Sequence, residues 1–529
     1  MLERHLARSG KPYLQYDKIP LNSKFDPESE ATTFIKRAVG DRIPSAICIV
    51  GETLGYLCQA AARIYPMAKI VGICLSREIR RYVGEDFHNL RLLFADDASL
   101  ERNFRPDVPE IDYDRVVVVS WGPSMRIWRS VAEWVLETLE SSIRMATGSL
   151  MTQASFGPRW LSNLIRNIVR IETRPQFTIS DKPIIAAASG PTLDRHLEGI
   201  LAVRNDVEIW ALPSSVGALR RASITPDLVI TTDPGYYATA HLFRRQVRHV
   251  AMPLSAAPLP SGSDATVSLF AEGHGFEGDL LPALGVHPSA VPPAGTVAAT
   301  AIRLAARCGA RWILLAGLDL CYRDLRGHAR PSLSAQLLEE TAGRTRPYTT
   351  QLLAHAMDHA AERIAVDGAV IRRSPALDAY ASWFDREAEL GAEVTRLLPS
   401  PVATAGLPGL QPRQLESALR QAATGLAPAP AAQRQTVPAW PRLPARATAL
   451  GAVVADWARK LHGASAGPTP PDELRDTAVW HLAHYCATAG LLRSRAAFRQ
   501  REHWQPEWRA ALQRCQRLVD NLEARVRAA

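Results

Sequence analysis

The sequence predicts an α/β protein of three domains, and two features of the chain carry that prediction. Short apolar runs, each followed by a turn and a helix start, recur between residues 45 and 331, as in parallel sheets whose strands are joined by helices. Prolines then crowd residues 398–446, and the chain beyond them has helical periodicity. We therefore predict a Rossmann-like domain over 1–150, a second α/β domain over 151–397, a Pro-rich linker over 398–446 and a helical domain over 447–529.

Length and composition are those of a globular protein. The chain has 529 residues, of which 47% are hydrophobic and 22% charged, and it is too long for one ordinary domain. No apolar run approaches the ~20 residues of a membrane helix, and the N-terminus lacks the apolar core of a signal peptide. The seven cysteines are scattered without a Cys-x-x-Cys pair, which favours a reducing compartment. We expect a soluble, cytoplasmic protein.

The net charge of +9 arises mostly in the C-terminal tail, residues 413–529. No nucleic-acid-binding motif accompanies this charge, and arginine enrichment in an Ala/Arg-rich tail explains it as well as a partner does. We therefore predict neither nucleic acid nor a membrane as a partner. The oligomeric state stays open.

The first α/β unit begins with a predicted strand, turn and helix over residues 45–56. Gly51 and Gly55 flank the turn, but a dinucleotide fingerprint also needs a middle glycine, and Glu52 and Thr53 stand there instead. An acidic side chain would repel a pyrophosphate, so we predict no cofactor in this domain. Further strands and connecting helices are predicted at 69–75, 91–94, 115–120, 125–147 and 158–172.

The most informative segment is Lys182–Pro331, which opens with a buried strand and the turn Ser189-Gly190-Pro191-Thr192. Pro191 suits a first helical turn, and Gly190 would let a ligand approach the backbone. The free N–H groups beyond the turn would then face an anion such as a phosphate. A purely structural junction is the alternative interpretation of this turn alone.

Further strands in this segment bring polar residues to the same edge. Strands are predicted at 208–212, 224–233 and 311–316, and a helix begins at Gly295-Thr296. Ligands of open parallel sheets bind outside the carboxyl ends of the strands. The residues predicted at such ends are Gly190, Asp233, Gly317, Asp319 and Tyr322.

The ordered motifs of this segment resemble the motility accessory factor family of proposed flagellin glycosyltransferases, with its MptE-like domain. The motifs are Ser-Gly-Pro-Thr-Leu-Asp, Thr-Pro-Asp-Leu-Val-Ile-x-x-Asp-Pro, Gly-Thr-Val-Ala-x-Thr-Ala and Gly-x-Asp-Leu-x-Tyr followed by Gly-His-Ala. The first and last are also similar to bacterial CMP-sialic-acid sialyltransferases, which implies a sialyltransferase-like (GT-A-like) α/β fold for 151–397. Thr192 stands where Ser is expected, and Pro213-Ser214 replace an Asn-containing base-reading turn, which leaves the nucleotide open.

The resemblance implies that a CMP-activated nonulosonic acid, of pseudaminic or legionaminic type, is transferred to Ser or Thr of flagellin for flagellar assembly and motility. The implied nucleotide-binding residues are Ser189, Gly190, Pro191, Thr192, Asp233, Gly295, Thr296, Gly317 and Asp319. Tyr322 would reach the phosphate, and His328 would act as the base, because the pKa of histidine lies near neutrality. The CMP-sugar is the donor substrate, flagellin the partner, and no cofactor is implied. No metal is predicted, because no Asp-x-Asp motif stands at a strand end.

Other interpretations remain open. The same domain resembles the archaeal-type 6-hydroxymethylpterin diphosphokinase, which would use ATP and Mg²⁺ held by Asp233, Asp319 and Asp324. A non-catalytic accessory that binds flagellin is the third possibility. His274 is the second candidate for a base. Two histidine pairs at helical spacing could bind zinc, but no third ligand is evident and a packing role is favoured: His355 with His359, and His481 with His484.

Overall fold

The computed structural model describes most of the chain. The described residues are 1–83, 91–95, 113, 115–171, 182–242, 247–260, 262–273, 275–285, 290–358, 361–386, 392–404, 406–425, 443–465, 478–479, 481–483, 485–486, 488, 510, 513–521 and 523–524. They divide into two compact units: unit 1 is Met1–Ser155 with Tyr485–Ala511, and unit 2 is Phe156–His484 with Leu512–Ala529. Parallel sheets joined by helices confirm the predicted α/β class. The three-domain division stays a prediction.

Unit 1 contains a small antiparallel sheet and a four-stranded parallel sheet. The small sheet is formed by β1 (Leu2–Leu6), β2 (Pro12–Tyr16) and β3 (Ile19–Pro20). The parallel sheet has the order β6-β5-β4-β7, with β4 (Ala46–Val50), β5 (Lys69–Cys74), β6 (Arg91–Phe94) and β7 (Val116–Ser120). Its helices are α1 (Pro27–Val39), α2 (Tyr56–Ile64) and α3 (Gly122–Ile127), with a 3₁₀ turn at Arg77–Arg81. All four strands predicted for this domain are confirmed. They could be predicted because strands covered on both faces of a sheet are apolar throughout.

The turn after β4 is closed by a buried carboxylate. Glu52 is fully buried, and its side chain accepts backbone N–H bonds from Thr53 (2.7 Å), Gly55 (2.9 Å) and Cys58 (2.8 Å). These are donors at the start of α2, where a Rossmann domain holds a pyrophosphate. The protein's own carboxylate therefore occupies that position.

A single helix, α4 (Arg129–Arg170), replaces the two helices predicted around Gly157-Pro158. The predicted break is wrong. Proline removes one backbone bond from a helix, but apolar residues on both sides of Pro158 remain buried, including Leu150 and Leu161. The boundary between units 1 and 2 falls inside this helix, at Ser155 and Phe156.

Unit 2 is built on an eight-stranded sheet in which every pairing is parallel. Its strands in chain order are β8 (Ile184–Ala187), β9 (Glu208–Ala211), β10 (Leu228–Ile230), β11 (His249–Met252), β12 (Thr266–Leu269), β13 (Trp312–Ala316), β16 (Glu393–Leu397) and β17 (Gly409–Leu410). The spatial order is β12-β11-β10-β9-β8-β13-β16-β17. The chain therefore runs outward from β8 to one edge and returns beside β8 as β13, which makes the β8/β13 junction the switch point of the sheet.

Among the described residues between β8 and β13, five helices connect these strands. They are α5 (Leu193–Ala202), α6 (Val216–Arg221), α7 (Tyr236–Leu242), α8 (Gly275–Ala283) and α9 (Val297–Arg307). A 3₁₀ turn at Pro213–Ser215 follows β9. The core lies between the central strands and α9, where Ile184, Ile313 and Leu304 are fully buried.

The chain after β13 differs from the prediction at two places. A hairpin of β14 (Ala361–Ile364) and β15 (Val370–Arg373) follows β13 in the chain. Two helices precede the hairpin, α10 (Leu333–Glu340) and α11 (Tyr348–Met357), and one follows it, α12 (Pro375–Arg386). The helix predicted over 349–366 thus ends at Met357, because Asp367-Gly368, a hairpin turn signal, pairs the strands on either side. Within residues 398–425, predicted as linker, β17 was not expected. A short helix was predicted at about 414–423, and α13 (Leu415–Gly425), whose Leu415 is buried, confirms it.

Beyond this point, helix α14 (Leu443–Ser465) is followed by helical residues within 478–488 and 510–524. Residues 426–442 of the predicted linker lie outside the described residues, as do His274, His359 and His484. Among the described helices, none combines the length and apolar content that a membrane span requires.

Candidate functional site

Two turns meet at the switch point, one after β8 and one after β13. Gly190 N–H donates to the Gly317 carbonyl (2.8 Å). A Cβ at Gly190 would lie 2.6 Å from both Gly317 O and Asp319 Cγ. A Cβ at Gly317, where φ is +67°, would lie 2.8 Å from Leu193 Cβ and 2.9 Å from Ala188 O. Both glycines are therefore required by the contact between the turns, and the approach of a ligand at Gly190 stays a prediction.

A buried carboxylate holds the first turn. Asp319 accepts the backbone N–H of Thr192 (2.7 Å) and also the Thr192 hydroxyl. Burial raises the pKa of Asp319 to about 6, against the lowering effect of the bonds from Thr192 and the nearby charges of Arg323 and Arg195. The N–H groups of Gly190 and Thr192, expected to face a phosphate, thus bond within the protein. That part of the predicted anion site is corrected.

His196, which the sequence analysis missed, supports the second turn from α5. It is buried, and its Nδ1 accepts the Gly317 N–H (3.2 Å). Burial lowers the pKa of His196 to about 4, so the ring is neutral near pH 7. The position of His196 within a predicted helix gave no functional signal, because its partner Gly317 lies 121 residues away in the sequence.

The segment after β13 folds over the first turn. Ala329 N–H donates to the Ser189 carbonyl (2.7 Å), and Arg330 N–H donates to Asp194 Oδ1 (3.3 Å). Asp194 also pairs with Arg221 (3.0 Å). Three non-glycine residues of this segment have positive φ angles, namely Leu320, Asp324 and Leu325. Such strain persists only where surrounding contacts impose it, and it is frequent at functional sites.

Tyr322 contacts His355 at this segment, and His328 lies near enough to His355 to be affected by its charge; we call these three residues a cluster. The His355 ring packs edge-on against Tyr322 with centroids 5.9 Å apart, and a Cβ at Gly327 would lie 2.9 Å from the same tyrosine ring. Tyr322 is fixed by two backbone bonds with Arg372 (2.8 and 3.0 Å). Burial, followed by the charge of His355, lowers the pKa of the half-buried His328. Burial, followed by the charge of Asp358, raises the pKa of Tyr322.

Three further predicted residues, Asp233, Gly295 and Thr296, lie near Tyr380. Asp233 is exposed at the end of β10, where its side chain accepts the Gly235 N–H (2.6 Å). Burial, followed by the charge of Asp233, raises the pKa of Tyr380. Gly295, with φ +76°, has room for a Cβ 3.8 Å from the Tyr380 ring, and Thr296 caps α9 without a side-chain bond. Pro191 is buried in the first turn, ahead of the helix rather than inside it.

Candidate metal ligands do not converge in the part of the chain that the structure describes. No three His, Cys, Asp or Glu side chains among those residues form a group able to hold an ion. Asp233, Asp319 and Asp324 are therefore not brought together as the diphosphokinase interpretation requires. Asp319 is committed to Thr192.

The Thr192–Asp319 pair gives a stability prediction. Replacing Thr192 with Val removes a hydroxyl donor from a buried carboxylate and should cost about 1.5–3 kcal/mol in the free energy of unfolding, while Thr192→Ser should stay near wild type. In the folded protein the pKa of Asp319 is raised from 3.8 to about 6. The contribution of this carboxyl group to the free energy of unfolding is therefore fully present below pH 3.8 and is lost as the pH rises through about 6. The Val variant should therefore lose more at about pH 7.5, where the carboxyl is ionised, than at about pH 5. Urea unfolding at both pH values measures this, and equal losses for Val and Ser would contradict it.

Fold and site together define a doubly wound α/β protein with a switch point in its larger sheet. Within that class, residues 159–325 match the family described as 6-hydroxymethylpterin diphosphokinase MptE-like. The whole chain also superposes on the structure of the Maf glycosyltransferase from Magnetospirillum magneticum AMB-1, with a TM-score of 0.57, 13% identity and coverage of 92% of that chain. At this identity the likeness shows the fold. The resemblance predicted from the motifs, an MptE-like domain within a Maf-type fold, is confirmed.

Two proteins of Treponema pallidum (strain Nichols), both described as uncharacterised, are similar in sequence. One is 26% identical over 332 residues, which is 59% of this chain and 70% of its own length. The other is 25% identical over 115 residues, which is 21% of this chain and 54% of its own length.

Proposed function

We propose that this chain is a glycosyltransferase, and more narrowly that it transfers a nonulosonic acid from a CMP-activated donor to Ser or Thr of flagellin in the cytoplasm. The observation that carries the proposal is the Tyr322–His328–His355 cluster beside the switch point of an MptE-like domain, in a chain with a Maf glycosyltransferase fold. Open parallel sheets bind ligands at this position.

The residues around the switch point suit an anionic donor. Arg195 and Arg330 are exposed beside the first turn, and neither side chain forms an ion pair within the described residues. Cationic side chains at a cleft attract a negatively charged substrate. We assign Tyr322 to hydrogen bonding with the donor phosphate.

Transfer then requires one proton acceptor. The oxygen of the acceptor hydroxyl forms a bond to the anomeric carbon, its proton passes to His328, and the bond from that carbon to the CMP phosphate breaks. A histidine whose pKa lies below its ordinary value is neutral at pH 7 and can accept that proton.

Thermal stability with two nucleotides tests the proposal. A ligand that binds only the folded state raises the melting temperature. At a hundredfold excess of ligand over Kd, it adds about 2.7 kcal/mol to the free energy of unfolding. We expect CMP to stabilise the protein and ATP with Mg²⁺ to leave it unchanged. Stabilisation by ATP with Mg²⁺ alone would favour the diphosphokinase suggested by the name of the matched family. Stabilisation by neither would favour a non-catalytic flagellin-binding accessory.

Transfer should persist in excess EDTA. The reason is the donor set at the switch point: the Asp319 carboxylate already bonds to Thr192 and is unavailable as a nucleotide-metal clamp. The measurement is sugar incorporation into flagellin with and without chelator. A complete loss that Mg²⁺ restores would refute metal independence.

A further inference from the structure

Two neighbouring tyrosines stand exposed at the carboxyl edge of the larger sheet. Tyr236 and Tyr237 begin α7, directly after the Asp233-Pro234-Gly235 turn that follows β10. Their exposed fractions are 76% and 62%, and their rings pack edge to face with centroids 6.0 Å apart. Adjacent exposed aromatic side chains are typical of interaction surfaces.

The loops that carry this pair are fixed by two buried asparagines. Asn163 and Asn167 lie one helical turn apart on α4 and are almost fully buried. Their side-chain amides donate, at 2.9–3.1 Å, to carbonyl oxygens of the loops after β10 and β11, which are those of Pro234, Leu254, Ser255 and Ala256. Buried amides are costly unless hydrogen-bonded, so this satisfied network holds the two loops in one arrangement.

The tyrosines lie on the same edge of the sheet as the candidate site. Helix α7 packs against the Pro213–Ser215 turn, and Ser215 Oγ donates to the Ala187 carbonyl (2.7 Å) at the end of β8. Neighbouring strands are about 4.8 Å apart, so the end of β10 is about 10 Å from the end of β8. A polypeptide lying across the tyrosines could therefore present a hydroxyl at the switch point.

We propose that Tyr236 and Tyr237 are the docking surface for the acceptor polypeptide. This inference rests on the proposed function. A small-molecule site encloses its ligand and buries about 70–90% of the ligand surface, whereas these rings project from the protein. Rigid tyrosines on a fixed loop provide large contact area at low entropic cost, which suits binding of a protein surface.

The test is the affinity of the full-length protein for purified flagellin, measured by calorimetry without donor. Tyr236→Ala and Tyr237→Ala should each weaken binding by about 10- to 30-fold, as removal of an aromatic anchor does. The Phe variants at both positions should bind nearly as wild type. Phe25→Ala, which removes an aromatic ring of similar exposure (61%) in unit 1, is the matched control and should change nothing.

Four outcomes separate this inference from the proposed function. Unchanged flagellin affinity in the double Ala variant overturns the docking surface, and so does a loss of CMP affinity with flagellin affinity retained, which would make the tyrosines a nucleotide contact. Wild-type protein that fails to bind flagellin also overturns it. Wild-type protein that binds flagellin through Tyr236 and Tyr237 but transfers no sugar supports the surface and refutes the proposed function.

Discussion

His328→Ala should lower sugar transfer by about 10²- to 10⁴-fold while leaving the affinity for CMP nearly unchanged, because positioned base catalysis contributes about that factor. The base contacts the acceptor hydroxyl, so its loss affects the chemical step more than donor binding. Since the pKa of His328 is lowered by burial and by His355, transfer should be constant near pH 7 and decline only below the ordinary histidine pKa of 6.5. The measurement is the pH profile of kcat/KM for wild type and variant.

A second histidine provides the control for that experiment. His249 is also half-buried, and burial lowers its pKa. It begins β11 and therefore lies at the amino ends of the strands, away from the candidate site, where its Nε2 hydrogen-bonds with Ser268 Oγ (2.8 Å). His249→Ala should retain transfer. If a stably folded His328→Ala protein keeps transfer within about twofold of wild type, His328 is not the base. His274, which lies outside the described residues, would then be the next candidate.

Gly317→Ala should strongly destabilise unit 2. The new methyl group would meet Leu193 Cβ and Ala188 O at less than 3 Å, and overpacking of this kind costs about 1–3 kcal/mol. The φ angle of +67° adds about 1–2 kcal/mol for any residue with a Cβ. Gly190→Ala should also destabilise unit 2, because its Cβ would lie 2.6 Å from both Gly317 O and Asp319 Cγ.

Gly343 is the matched control for these variants. A Cβ at Gly343 would have no neighbour within 4 Å, and Gly343→Ala should unfold in urea as wild type does. A Gly317→Ala protein with the same midpoint as Gly343→Ala would show that the two turns at the switch point can separate without cost. The tight contact between β8 and β13 would then not define the site.

The central strands were predictable because their sequences carry the signal locally. Ile184, Ile185 and Ile313 are buried on both sides of a parallel sheet, so continuous apolar runs mark them. The placement of Gly190, Gly317 and Asp319 at strand ends followed from the same runs. Tyr322 and His328 could be grouped because only six residues separate them.

The role of Asp319 could not be predicted, because its partner Thr192 lies 127 residues away and the sequence contains no trace of that pairing. His355 was considered only as half of a zinc pair, since its contact with Tyr322 depends on where α11 lies. The predicted helix break at Pro158 failed for a related reason: burial on both sides of the proline outweighs one missing backbone bond.

The carboxylate of Glu52 has a thermodynamic consequence for unit 1. A domain that takes its anion from solution gains stability in proportion to the logarithm of ligand concentration, and it weakens when that ligand is scarce. Here the anion is covalently part of the chain and bonds to Thr53, Gly55 and Cys58 at a fixed effective concentration. The backbone donors at the start of α2 are therefore satisfied by the chain itself, independently of any ligand concentration.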